Sequence, residues 1–91
     1  MPTTRVSVRY TGRVQGVGFR ATARAIASSF AVTGWVRNES DGSVTLEIQG
    51  KAAEVQRCLD AILHRMESRI RASAMTPLPL DGAEAGFDIR C

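Results

Sequence analysis

One nine-residue stretch constrains the chain more than any other: Gly12-Arg13-Val14-Gln15-Gly16-Val17-Gly18-Phe19-Arg20. It carries three glycines and two arginines between two segments of different period. Before it, Val6, Val8 and Tyr10 alternate with polar residues, the pattern of a half-buried strand over Arg5 to Tyr10. After it, Phe19, Ala23, Ile26, Ala27 and Phe30 recur at helical spacing, predicting a helix of about three turns. Glycines at such a junction let the backbone turn sharply and approach a ligand closely. The helix that follows adds unpaired N–H groups and the positive end of its dipole. With Arg20 at its end, the loop is a candidate anion site. The competing reading is an unliganded turn followed by a solvated arginine.

The rest of the chain sets the frame around this loop. Thr33-Gly34 is expected to end the first helical region, and Trp35-Val36-Arg37-Asn38 reads as a second strand. Glu39-Ser40-Asp41-Gly42 is a hairpin turn, and Ser43 to Gln49 alternates through Val44, Leu46 and Ile48 as a third strand that Gly50 closes. Ala52, Val55, Leu59, Ile62, Leu63 and Met66 lie on one face of a second helix. Arg69 to Met75 alternates again as a fourth strand, with Pro77 and Pro79 ending it. After a loop from Leu80 to Gly86, Phe87 to Arg90 is long enough for a short fifth strand.

The order β-α-β-β-α-β plus a short C-terminal strand predicts an α+β, ferredoxin-like split βαβ sandwich. Its antiparallel sheet would carry two helices on one face, and right-handed crossovers would put the first and third strands in the middle. A chain of 91 residues is expected to be one domain, 1–91.

Composition narrows the functional classes. The longest uninterrupted apolar runs are three residues, as in Ala61-Ile62-Leu63, so no membrane span is expected. Met1-Pro2-Thr3-Thr4 leads straight into a strand pattern without a signal peptide, and a cytoplasmic location is expected. Of the 12 basic residues only Lys51 is a lysine, and the net charge is +3. The arginines are scattered along the chain and form no block, which speaks against a nucleic-acid partner. Cys58 and Cys91 are the only cysteines, and no second motif accompanies them as metal ligands. Cys58 shares a helix face with Val55 and Ile62, as a buried thiol would. His64, the only histidine, is placed near a helix end in solvent.

Familiar motifs fail on context. Gly16-x-Gly18-x-x-Ala21 matches the dinucleotide fingerprint, but that fingerprint needs a doubly wound parallel sheet, and this chain turns into a hairpin after its second strand. No Gly-Lys-Ser/Thr follows, as a P-loop requires. An RNA-recognition module would need aromatics on its third strand, and Ser43 to Gln49 has none. Nor is there a Ser-His-Asp, Cys-His or clustered carboxylate arrangement. Hydrolysis of an acyl phosphate suits such sparse equipment, because its leaving group is a carboxylate with a pKa of about 4 that needs no protonation.

The residues also resemble a known family. Gly12 to Arg20 is similar to the first acylphosphatase signature. Gly34-Trp35-Val36-Arg37-Asn38, followed by Asp41-Gly42-x-Val44 and Gln49-Gly50, resembles the second. Both stand in order, and the resemblance covers nearly the whole chain. It implies an enzyme that hydrolyses the carboxyl–phosphate bond of a small-molecule acyl phosphate with no metal and no cofactor. It further implies that Arg20 binds the phosphate with backbone N–H groups of Gln15, Gly16, Val17, Gly18, Phe19 and Arg20. Asn38 would orient the attacking water. A monomer is expected. Arg13 is assigned to loop support or solvent, and Phe19 and Trp35 to the core. The chain departs from the family's pattern at Arg65 to Arg69, where Gly-Pro is common, and in Pro77-Leu78-Pro79-Leu80. Two other classes stay open: a ferredoxin-like module that senses a small anion without turnover, and the acylphosphatase-like domain that opens larger carbamoyl-transferring maturation proteins.

Overall fold

The computed structural model describes residues 2–91. Its elements run β1 (Thr3–Gly12), α1 (Phe19–Ala27), β2 (Val32–Asn38), β3 (Val44–Lys51), α2 (Ala52–Met66), β4 (Ile70–Leu78) and β5 (Phe87–Arg90). The sheet order is β4-β1-β3-β2-β5, so β1 and β3 are interior neighbours as the split βαβ pattern requires.

The register explains how alternation builds the core. Val8, Leu46 and Val36 form one cross-strand row, Tyr10, Val44 and Asn38 the next. The apolar members of both rows are buried with Phe19, Ala23 and Ala27 of α1 and with Val55, Cys58, Leu59, Ile62 and Met66 of α2. Both helices therefore cover the same face of the sheet. Each fully buried aliphatic side chain in this layer stabilises the fold by about 1.5–3 kcal/mol. Cys58 is completely buried, as its place on the α2 face implied. Among the described residues no helix is long and apolar enough to cross a membrane.

The sheet is mixed, where a purely antiparallel one was expected. β5 pairs parallel to β2, with Val36 opposite Ile89. The geometry of the connection dictates this. β4 runs antiparallel to β1 and ends where β1 begins. Crossing from β4 to the far side of β2 covers four strand spacings, about 19 Å. The eight residues 79–86 reach at most about 28 Å. Little length remains to travel back along the strands, so β5 starts at the same end as β1 and β2 and runs beside them.

Other boundaries also moved. The first helix stops at Ala27, and Phe30 lies beyond it, partly buried against the core. Thr33 and Gly34 belong to β2, and β3 continues through Gly50 to Lys51. β4 runs on past Pro77, because an edge strand with one neighbour can turn a proline nitrogen away from the ladder.

The open face of the sheet is polar. Arg5, 6% exposed, binds Glu47 at 2.8 Å and Glu84 at 2.6 Å. Glu84 also accepts from the Thr33 hydroxyl at 2.9 Å. These bonds strap the 79–86 connection across the sheet, helped by the paired contacts of Gln49 with the Asp81 backbone at 3.0 and 2.7 Å. Trp35 is buried on this face, away from the helices. The guanidinium carbons of Arg37 and Arg90 stand 4.8 and 4.7 Å from its ring centroid.

Candidate active site

The carboxyl ends of β1, β2 and β5 lie together at one end of the sheet, and the glycine loop closes over them. Gly16 and Gly18 hold φ of 74° and 78°, a left-handed conformation that favours glycine. Gly18 is the N-cap of α1 and offers no side chain to cap it. The first turn of α1 contains no acidic residue. Among the described residues, the backbone N–H groups of residues 16 to 21 donate no hydrogen bond within the protein. A row of undonated N–H groups at a helix N-terminus is an anion-binding concavity.

A cleft of about 200 Å³ opens there, and Gly16, Gly18, Phe19, Arg20 and Asn38 all line it. Two signatures far apart in the chain thus meet at one place. Arg20 is half-buried, and its Nη1 donates to the Arg90 carbonyl at 3.4 Å. Asn38 ends β2 with its side chain in the row of Tyr10 and Val44, on the helix side of the sheet. Its Oδ1 is buried and accepts no hydrogen bond among the described residues. Leaving a buried acceptor unmet costs about 1–3 kcal/mol, so such an atom calls for an explanation.

Gln15 and Val17 do not line the cleft. Val17 packs against the core, and Gln15 does something the sequence did not suggest. Its Nε2 donates to the carbonyls of Glu39 and Ser43 at 2.7 and 2.9 Å, clamping the loop to the turn just after Asn38. Phe19 is buried as expected, its ring 5.0 Å from that of Tyr10, and forms the floor. Arg13 is exposed, and its backbone N–H donates to Arg69 O at 2.9 Å. Sequence reasoning missed Ala21 and Ile89, which line the outer wall. The alternation of Phe87 and Ile89 was the available signal, but the side on which β5 joins the sheet was not legible from it.

The carboxylates nearest Asn38 in the chain are held as anions. Arg37 and then Thr45 donate to Glu39 and lower its pKa. Hydrogen bonds from the Ser43 hydroxyl and N–H, with Arg9 adding to them, bring Asp41 down to about 2. Neither is a proton donor near neutral pH. Among the described residues no three His, Cys, Asp or Glu side chains gather as a cation site. What the arrangement offers is positive charge, N–H donors and one neutral amide.

The comparisons with known proteins converge on the same picture. The acylphosphatase family model matches residues 6–89. An acylphosphatase from Salinibacter ruber is 47% identical over 88 residues, covering 94% of this chain and 92% of that protein. The structure of an acylphosphatase from Coxiella burnetii is similar with a TM-score of 0.83 at 25% identity, over 97% of this chain and 93% of that one. One from Bacillus subtilis shares the fold with a TM-score of 0.86 at 24% identity, over 99% and 100% of the two chains. Matching over nearly the full sequence, with both signature segments gathered on one cleft, this chain belongs to the acylphosphatase family.

Proposed function

We propose that this chain hydrolyses small acyl phosphates, that Arg20 and the backbone N–H groups of Gln15 to Arg20 hold the phosphoryl group, and that Asn38 orients the water. Family membership supports the reaction class. The residue roles rest on one observation above all: the unpartnered, buried Oδ1 of Asn38 belongs to the same cleft as Arg20 and the undonated loop N–H groups. A water donating one O–H to Oδ1 turns its lone pair toward the phosphorus without being deprotonated first. The guanidinium and the loop N–H groups spread over the phosphoryl oxygens and stabilise charge there as the transition state forms.

The step balances without a base or acid from the protein. Water oxygen bonds to phosphorus, the bond from phosphorus to the acyl oxygen breaks, and its electron pair leaves on the carboxylate. Both protons of the water end on the phosphate, giving a carboxylate and dihydrogen phosphate. A carboxylate leaves unprotonated, which is why positioning and charge stabilisation suffice.

The test is phosphate release from benzoyl phosphate with excess chelator, comparing wild type, Asn38→Ala and Arg20→Gln. Asn38→Ala should lower kcat by about 10²–10³-fold and leave inorganic phosphate binding within about twofold. Arg20→Gln should weaken both binding and turnover. Undiminished turnover by Asn38→Ala would remove the water-positioning role. Loss of wild-type activity on chelation, restored by a divalent metal, would sink the metal-free mechanism.

A further inference from the structure

Resting on that reading of the site, we infer that Ile89 and Ala21 form the acyl-group subsite and that the preferred acyl group is an apolar aromatic or branched aliphatic one. The cleft is larger than its phosphate chemistry requires. Its volume is about 200 Å³. A phosphoryl group against the glycine loop and one water at Asn38 fill only part of it. Ala21 and Ile89 line its outer wall.

That wall is apolar for a definite reason. Ile89 pairs with Val36 across β2 and β5, which turns its side chain to the helix side of the sheet, in the row of Val36, Leu46 and Val8. Those three are buried, whereas Ile89 stands at the end of the row on an edge strand and stays 37% exposed. It is one of few large apolar side chains left in solvent, and it lies on the cleft. Ala21, on the first turn of α1 and exposed, lines the same cleft and adds no bulk. The Arg20 bond to Arg90 O sets the end of β5 beside the phosphate-binding arginine.

The charged neighbours of Ile89 do not reach this side. Asp88 pairs with Trp35 and Arg90 with Arg37, so both side chains alternate to the open face. Among the described residues Arg20 is the only ionisable side chain lining the cleft, and in the proposed site the phosphoryl group engages it. An anionic or cationic acyl group would find no counter-charge on the outer wall. An aromatic or branched aliphatic group would cover the exposed face of Ile89 and remove apolar surface from water. Ile89 is therefore a specificity-determining residue, acting on the part of the substrate that does not react.

The experiment compares kcat/KM for benzoyl phosphate and acetyl phosphate in wild type, Ile89→Ala, Ile89→Leu and Ile89→Asp. The internal ratio of the two substrates cancels any general loss from a loosened β5. Wild type should favour benzoyl phosphate, and Ile89→Ala should lower the benzoyl-to-acetyl ratio about fivefold to tenfold, mainly through KM, the scale expected when a hydrophobic pocket loses part of its wall. Ile89→Leu should restore the ratio, and Ile89→Asp should lower it further. Equal losses on both substrates, or an unchanged ratio, would overturn the subsite while leaving the proposed hydrolysis standing. Absence of hydrolysis of both substrates by folded wild type would overturn the underlying reading and the subsite with it.

Discussion

At Gly34 the chain has no room for any side chain. A Cβ built there would stand 1.9 Å from the Glu47 carbonyl oxygen, and its φ of 154° already lies where other residues are strained. Gly34→Ala should destabilise the protein by more than about 3 kcal/mol, measured by urea unfolding. Gly18 makes the opposite case. Its φ is 78°, but nothing lies within 4 Å of an added Cβ, so Gly18→Ala should cost only about 1–2 kcal/mol of backbone strain and leave a folded protein. The two glycines look alike in sequence. Gly18 was legible because a loop between two periodic segments announces itself. Gly34 was misread as a helix stop, because its constraint comes from the backbone of β3, which no local pattern displays. Asn38 was singled out only through the resemblance. A polar residue before a turn is ordinary, and only its burial without a partner sets it apart.

Among the elements, the 79–86 connection carries more than its loop-like composition suggests. It delivers β5 to the cleft, and Glu84 holds it down by two bonds to Arg5, at 2.6 and 2.9 Å, across 79 residues of sequence. The sequence offered a short strand at Phe87 to Arg90 but carried no information about this strap, since a charge pair so distant leaves no periodic trace. Glu84→Ala should leave the buried Arg5 guanidinium with Glu47 alone. The expected cost is about 3–5 kcal/mol, the range found when one partner of a buried ion pair is removed. Because β5 is the outer wall of the cleft, the same variant should raise KM for benzoyl phosphate more than it lowers kcat. Unfolding curves and steady-state kinetics on the one protein check both. The parallel pairing of β5 follows from the same connection, and it depends on chain length and direction more than on side chains.

For the molecule as a whole, the arrangement of a polar open face and one apolar layer makes alkaline pH its weak side. Burial pushes the Cys58 thiol up to about 11 from its ordinary 9, and burial also raises the Tyr10 hydroxyl, with Cys58 adding to it. Both groups are neutral in the folded chain at a pH where they ionise in the unfolded one. Their contribution is thus complete below about pH 9 and falls as pH rises from there towards 11. Urea midpoints should stay level between pH 7 and 8.5 and drop above 9, and Cys58→Ala should flatten part of that drop. The layer itself was the most legible feature of the sequence. Val8 and Leu46 on their alternating strands, and Val55, Leu59, Ile62 and Met66 on the α2 stripe, marked the buried face, whereas Leu63, expected on the same stripe, stands exposed at the edge of the layer.

The undonated N–H groups of residues 16 to 21, proposed above as the phosphoryl cradle, have a consequence beyond the reaction. Folding assembles a cradle that the unfolded chain does not possess, so any anion that fits the cradle shifts the folding equilibrium by mass action. Saturating it a hundredfold over Kd adds about 2.7 kcal/mol to the native state. The melting temperature of this protein should therefore climb with the logarithm of phosphate concentration at constant ionic strength, and Arg20→Gln should flatten that climb. Its thermal stability becomes a gauge of the product it releases.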